Sequence, residues 1–116
     1  MSRQRERAGH SLQEAAPVFA ALGDTTRLGL MARLAAEGPL STSRLGEGTG
    51  VTRQAVTKHL ETLAVAGLVR DGRLGRERIW QLEPASLAVA RRELDRISHQ
   101  WNAAIGRLKA FVETAR

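Results

Sequence analysis

Apolar positions along this chain change their spacing repeatedly, and each change predicts an element. Leu12, Val18, Phe19 and Leu22 recur at helical steps, and Gly23 follows where a helix end takes a glycine, so a first helix is expected there. Pro17 falls inside that span and either sits within the helix or marks its ordered start. Leu28, Met31 and Leu34 then share one face of a second helix, capped by Asp24 and running to about Ala36. The stretch EGPLS ends it, and Ser41 can cap a short third helix over residues 42–47.

GTG at 48–50 supplies a turn, and Thr52 can cap a fourth helix, spanning 52–66. On a helical wheel Val56, Leu60 and Leu63 fall together and face the core. Gln54, Lys58 and Glu61 then point outward, with Ala55 and Thr57 at the edges. His59 sits at the border of the apolar face, as a packing residue with one hydrogen bond. After Gly67 the pattern from Leu68 to Leu82 shortens to two strands around Gly72–Gly75, a hairpin with Ile79 and Leu82 as anchors and Trp80 at its base. Pro84 opens a long last helix, broken or bent near its start, that runs to about Thr114. Within it Leu94, Ile97, Trp101, Ala104, Leu108 and Phe111 step by threes and fours, the spacing of a packing seam, and Ile105 and Val112 widen the stripe. The predicted fold is mainly α with a small β-hairpin. It forms one domain over 12–116 behind a flexible basic tail at 1–11, where Arg3, Arg5 and Arg7 lack any periodicity.

Composition narrows the chemistry. The 116 residues suffice for one domain with a real core. With no cysteine, disulfides, thiolate chemistry and cysteine-based zinc sites are excluded, and a reducing compartment fits. No apolar run approaches the roughly 18 residues of a membrane span, and the charged MSRQRERAGH start has no apolar region behind it. A cytoplasmic protein with no membrane association is expected. Eighteen Lys+Arg against twelve Asp+Glu give a net charge of +6, a balance that attracts polyanions, although a GC-rich coding sequence also enriches arginine.

Short helix, glycine turn, longer helix is the order of a helix-turn-helix. The outward residues of the fourth helix suit a DNA major groove. Gln54 can pair with adenine and Lys58 can donate to guanine, while Thr52, Arg53 and Thr57 near the helix start can hold phosphates. A solvated amphipathic helix would show the same polarity. The hairpin behind it projects Arg73, Arg76 and Arg78 around glycines, which suits a wing that straddles the backbone and probes the minor groove. An edge hairpin guarded against aggregation would also carry arginines.

Three segments, LGDTTRLGLMARLA from 22, GVTRQAVTKHLETLAVAGLV from 50 and GRERIWQLEP from 75, resemble the ArsR/SmtB family of winged helix-turn-helix repressors. The resemblance covers roughly residues 16–112, and VTKHLETLAVAGLV is its most specific part. It implies a homodimeric bacterial repressor on a palindromic operator, with Arg53, Gln54, Thr57 and Lys58 on the recognition helix and Arg76 and Arg78 in the wing. Many members sense metals. Here the recognition-helix cysteines are missing, and Asp95 and His99, four apart, with Glu113 across a dimer, make a thin ligand set better read as a solvated pair. Neither a metal nor a cofactor is assigned, and the residues identify no inducer or corepressor.

A twofold dimer is expected to bury the last helix through Leu94, Ile97, Trp101, Ile105, Leu108 and Phe111, with Phe19 from the first helix. Folding that helix back as a cap over its own core is the alternative. An enzyme is not expected, since Ser41, Ser43 and His59 form no nucleophile–base pattern and no loop cradles phosphate. The rival to a DNA reader is a winged-helix module that docks an acidic protein partner.

Overall fold

The computed structural model describes the backbone of residues 2–115 and the side chains of residues 12–115. The elements are α1 (Ser2–Leu22), α2 (Thr25–Glu37), β1 (Leu40–Ser41), α3 (Thr42–Gly46), α4 (Arg53–Val65), β2 (Val69–Leu74), β3 (Glu77–Leu82) and α5 (Pro84–Thr114). The fold is a winged helix-turn-helix with a long C-terminal helix. The backbone of the stretch expected as a basic tail at 1–11 belongs to α1 from Ser2 on, and its side chains lie outside the described residues. Among the described residues no helix is long and apolar enough to cross a membrane.

Three helix starts follow from side chains that satisfy otherwise orphaned amides. Asp24 accepts from the Arg27 amide at 2.9 Å, Ser41 from Arg44 at 3.2 Å and Thr52 from Ala55 at 3.1 Å; each such cap contributes about 1 kcal/mol. The Arg27 amide also holds the Asp24 carboxyl below the usual carboxylate range, chiefly through that hydrogen bond. Pro17 lies inside α1, not at its start, and the helix continues through it because Ala15, Val18 and Ala21 are buried on either side. The core face of α2 is Leu30, Met31 and Leu34, whereas Leu28 is 51% exposed. Leu30 and Leu34 centre the buried arc, and Leu28 falls beyond its edge.

A two-residue strand that the pattern does not announce, β1, joins the hairpin. The sheet order is β1-β3-β2, antiparallel throughout, with Leu40 opposite Trp80 and Ser41 opposite Ile79. The hairpin turn is also tighter than expected. Gly72 is a strand residue opposite Ile79, and Leu74 pairs with Glu77, so the turn is Gly75-Arg76. Gly75 has φ 63°, and Arg76 has no positive φ, the signature of a turn whose first central residue must be left-handed.

Trp80 is 0% exposed and lies where sheet and helices meet. Its indole N–H donates to the Thr42 hydroxyl of α3 at 2.9 Å, so the polar end of this large residue is satisfied inside the core. Leu34, Leu45, Val56, Leu60, Leu63 and Leu68 belong to the same buried cluster. Arg33 ties α2 to the turn: its guanidinium donates to the backbone oxygens of Arg44 at 2.6 Å and Glu47 at 3.2 Å, satisfying the carbonyl end of α3. Gly67 closes α4 at φ 77°, and a Cβ there would collide with the Ser86 side chain at the start of α5.

Helix α5 is one unbroken element, without the expected interruption near its start. Its first third is anchored: Ala90 and Glu93 are buried, and Glu93 accepts from Arg96 one turn on. Every described residue from 98 to 115 is exposed. The protrusion shows in a radius of gyration of 19.1 Å, against about 13 Å for a compact chain of this length.

Truncating Trp80→Ala is expected to destabilise the protein by about 3–5 kcal/mol in urea unfolding. Thr42→Val, which leaves the buried indole N–H unpaired at nearly constant volume, should cost about 1–3 kcal/mol. Equal stability for the Val variant would mean that the indole is not held by that hydroxyl.

Candidate nucleic-acid interface

The outer face of α4 is built by its capped start. With Val56, Leu60 and Leu63 turned inward at 0% exposure, Arg53, Gln54, Thr57, Lys58 and Glu61 line an open groove on the opposite side. Arg53, Gln54 and Lys58 are exposed, and among the described residues their side chains make no hydrogen bond or ion pair. The Thr52 hydroxyl serves as the cap, and Thr57 donates its hydroxyl to the Arg53 carbonyl at 3.0 Å. Those two threonines are therefore partly engaged within the helix, and the free donors of this face are Arg53, Gln54 and Lys58. At the helix start the amide dipoles add positive potential.

His59 matches its expected packing role. It is half-buried, and its Nδ1 lies 3.2 Å from Arg27 Nη1. A guanidinium can only donate, so in this contact Nδ1 accepts, with the Asp24 carboxylate 3.9 Å from the same nitrogen. Arg27 also donates to the Ala21 carbonyl. Helix α4 is thus fastened to the α1–α2 junction on its inner side.

In the wing the arginines divide into two groups. Arg73, opposite Arg78 on the paired strand, and Arg76, at the turn, are exposed and make no hydrogen bond or ion pair among the described residues, although the Arg73 charge also acts on Asp71. Arg70 lies 3.6 Å from Glu83, on the other face of the hairpin. Arg78, expected to be a free wing contact, is engaged on three sides. Its Nε donates to Asp71 at 2.6 Å, its Nη1 reaches Glu61 of α4 at 3.5 Å, and its guanidinium lies 4.4 Å from the centre of the Trp80 ring. Alternation along the strands puts Asp71, Arg73, Arg78 and Trp80 on one face, which explains the cluster. The Glu61–Arg78 approach joins residues 17 apart on different elements, and no local periodicity announces it.

The remaining expected site residues lie on the terminal helices. Leu94, Trp101, Ile105, Leu108 and Phe111 are between 52% and 70% exposed along α5, and Phe19 of α1 is at 36%. Ile97 is half-buried and belongs to the anchored part of the helix. Asp95, His99 and Glu113 are all exposed, and among the described residues no three His, Cys, Asp or Glu side chains gather into a cluster able to hold a metal ion.

Comparison with known proteins agrees with this geometry. The helix-turn-helix domain family matches residues 22–71. The HTH-type transcriptional regulator Rv2034 of Mycobacterium tuberculosis is 42% identical over 85 residues, covering 73% of this chain and 76% of that protein. The structure of an ArsR-like transcriptional regulator from Rhodococcus sp. RHA1 superposes with a TM-score of 0.72 at 35% identity, covering 88% of this chain and 95% of the other. A homodimeric winged helix-turn-helix DNA-binding domain of Mb0332 from Mycobacterium bovis shares the fold, with a TM-score of 0.64 at 24% identity over 86% of this chain and 94% of that one.

The Arg78 side chain, by its hydrogen bond and its charge, holds the Asp71 carboxyl below the usual carboxylate range. A depressed folded-state value means that the pairing stabilises the protein above the ordinary aspartate range and is lost as pH falls through the depressed value. Carboxyl-carbon NMR titration should place the Asp71 midpoint below the ordinary ~3.9 and raise it in Arg78→Ala. An unshifted midpoint in the wild-type protein would remove the pair from the solution structure.

Proposed function

From the premise that this chain belongs to the ArsR family of winged helix-turn-helix transcriptional regulators, we propose that it is a homodimeric repressor that binds an inverted-repeat operator in a bacterial cytoplasm. The observation that carries this reading is the adjacency of two unpaired polar surfaces, the outer face of α4 and the tip of the wing. Gln54 and Lys58 read base edges in the major groove. Arg53 and the helix start hold phosphates, with Thr52 and Thr57 beside them, while Arg73 and Arg76 follow the backbone towards the minor groove. A bound dimer represses by occluding the promoter.

The dimer reading rests on α5. A stripe of large apolar side chains, Trp101, Ile105, Leu108 and Phe111 among them, stands exposed along α5, where every described residue from 98 to 115 is exposed. Soluble monomers seldom expose such a continuous apolar surface, and a twofold mate of the same helix is its natural cover.

Selection from a randomised duplex pool at near-physiological salt is expected to enrich an inverted repeat with half-sites about one helical turn apart. Gln54→Ala or Lys58→Ala should then each lose about 1–3 kcal/mol of discrimination at one base position. Binding that is equal for selected and scrambled duplexes would overturn the DNA-reading proposal in favour of an acidic protein partner. Trp101→Asp is expected to yield monomers in sedimentation equilibrium and to weaken binding to the full repeat about 100-fold or more, through loss of the linked second half-site. A variant that remains dimeric would exclude α5 as the interface.

A further inference from the structure

Of the four wing arginines, Arg78 is the one placed where it touches both DNA-facing elements. Its guanidinium bridges Asp71 of β2 and Glu61 of α4, and the Trp80 ring supports it from below. Glu61 is itself an anomaly on this surface. It is the one carboxylate lining the α4 groove, beside Arg53, Gln54, Thr57 and Lys58, where a negative charge opposes an approaching phosphate backbone. Its electrostatic disadvantage is explained if it serves the wing. Beyond the pairing of β1 with Ile79 and Trp80, the wing is a two-stranded projection whose residues 71–77 are exposed, and a two-stranded hairpin is marginally stable by itself.

We infer that Arg78 is a positioning residue: clamped between Glu61 and Asp71, it fixes the angle between wing and recognition helix so that the two engage DNA as one rigid body. The inference rests on the DNA-reading function proposed above, and it reassigns Arg78 from contacting phosphate to holding the elements that do. Its Nε and one Nη are already committed within the protein, while Arg73 and Arg76 are exposed and make no hydrogen bond or ion pair among the described residues. Rigidity matters because a wing free to swing must be ordered on binding, at a loss in affinity.

The test compares Arg78→Gln, Glu61→Gln, the double variant and Arg76→Ala on the selected repeat and on scrambled duplex, each across a salt series. Glu61→Gln is the decisive variant, because charge alone and the clamp predict opposite signs. Removing an anion beside the phosphates should tighten binding, whereas removing the clamp should weaken binding to the selected repeat by about tenfold, the scale of one coupling between neighbouring groups. The two Gln substitutions should be non-additive. For Glu61→Gln the slope of log affinity against log salt should be unchanged, while Arg76→Ala should lower its magnitude by about 0.9 per protomer. Arg78→Gln with that same drop in slope, together with neutral or tighter binding by Glu61→Gln, would make Arg78 a direct phosphate contact and overturn the clamp.

A measurement without DNA separates failure of the clamp from failure of the parent reading. In the free protein, Glu61→Gln should speed amide exchange of the wing from 71 to 78 and leave exchange in α4 and α5 unchanged. Faster wing exchange with no DNA selection by the wild-type protein would sustain the clamp and reject the repressor. Unchanged wing exchange would reject the clamp whatever the DNA result.

Discussion

The housing of the Trp80 indole is the constraint on which the rest of the winged helix-turn-helix head depends. A side chain of this size can be wholly buried only if its N–H finds an acceptor, and the Thr42 hydroxyl provides it. That one bond sets the distance between the hairpin and α3. It also explains the short strand β1, since Leu40 lies opposite Trp80 and brings the start of α3 to the sheet. On the solvent side the same ring forms the floor for Arg78. Core packing and the exposed charge pattern therefore meet on a single residue.

That arrangement gives the positive surface an internal division of labour. A net charge of +6 says that polyanions are attracted, but not where. In the folded chain Arg33 satisfies the end of α3, Arg27 joins the α1–α2 junction to His59, and Arg70 and Arg78 pair with carboxylates. Of the cations that make no hydrogen bond or ion pair among the described residues, Arg53, Lys58, Arg73 and Arg76 fall on α4 and the wing, and Arg91, Arg92, Arg107 and Lys109 on α5. Basic residues thus fasten the scaffold as well as face outward, and sequence counts do not separate the two uses.

What was legible in the sequence was local. Asp24, Ser41 and Thr52 announce helix starts because a cap acts within three residues, and Val56, Leu60 and Leu63 announce the inner face of α4 through their period. The quoted segments also carried the family, which the fold and the comparisons agree with. What escaped was set by distant partners. Strand β1 is too short to alternate and exists through its pairing with β3. Gly72 and Gly75 are equally good turn residues in isolation, and the burial of Leu68, Val69 and Trp80 selects the register that makes Gly75 the turn. Arg78 looked like its free neighbours because its partner Glu61 lies on another element.

The unbroken course of α5 has a geometric consequence. Its 31 residues make a rod of about 46 Å, anchored to the head at one end and exposed at the other. In the proposed dimer the two rods cross, and each head rides at the end of a lever without a joint. Over the ~32 Å from Pro84 to Ile105, a change of about 5° in the crossing angle would then move a head by about 3 Å, close to the ~3.4 Å rise of one base pair along a strand. Half-site spacing would be set less by the residues that touch DNA than by side-chain volumes where the rods meet, tens of ångströms away. A methylene gained or lost at Ile105 or Leu108 would retune the operator that the dimer fits, with the recognition helix unchanged.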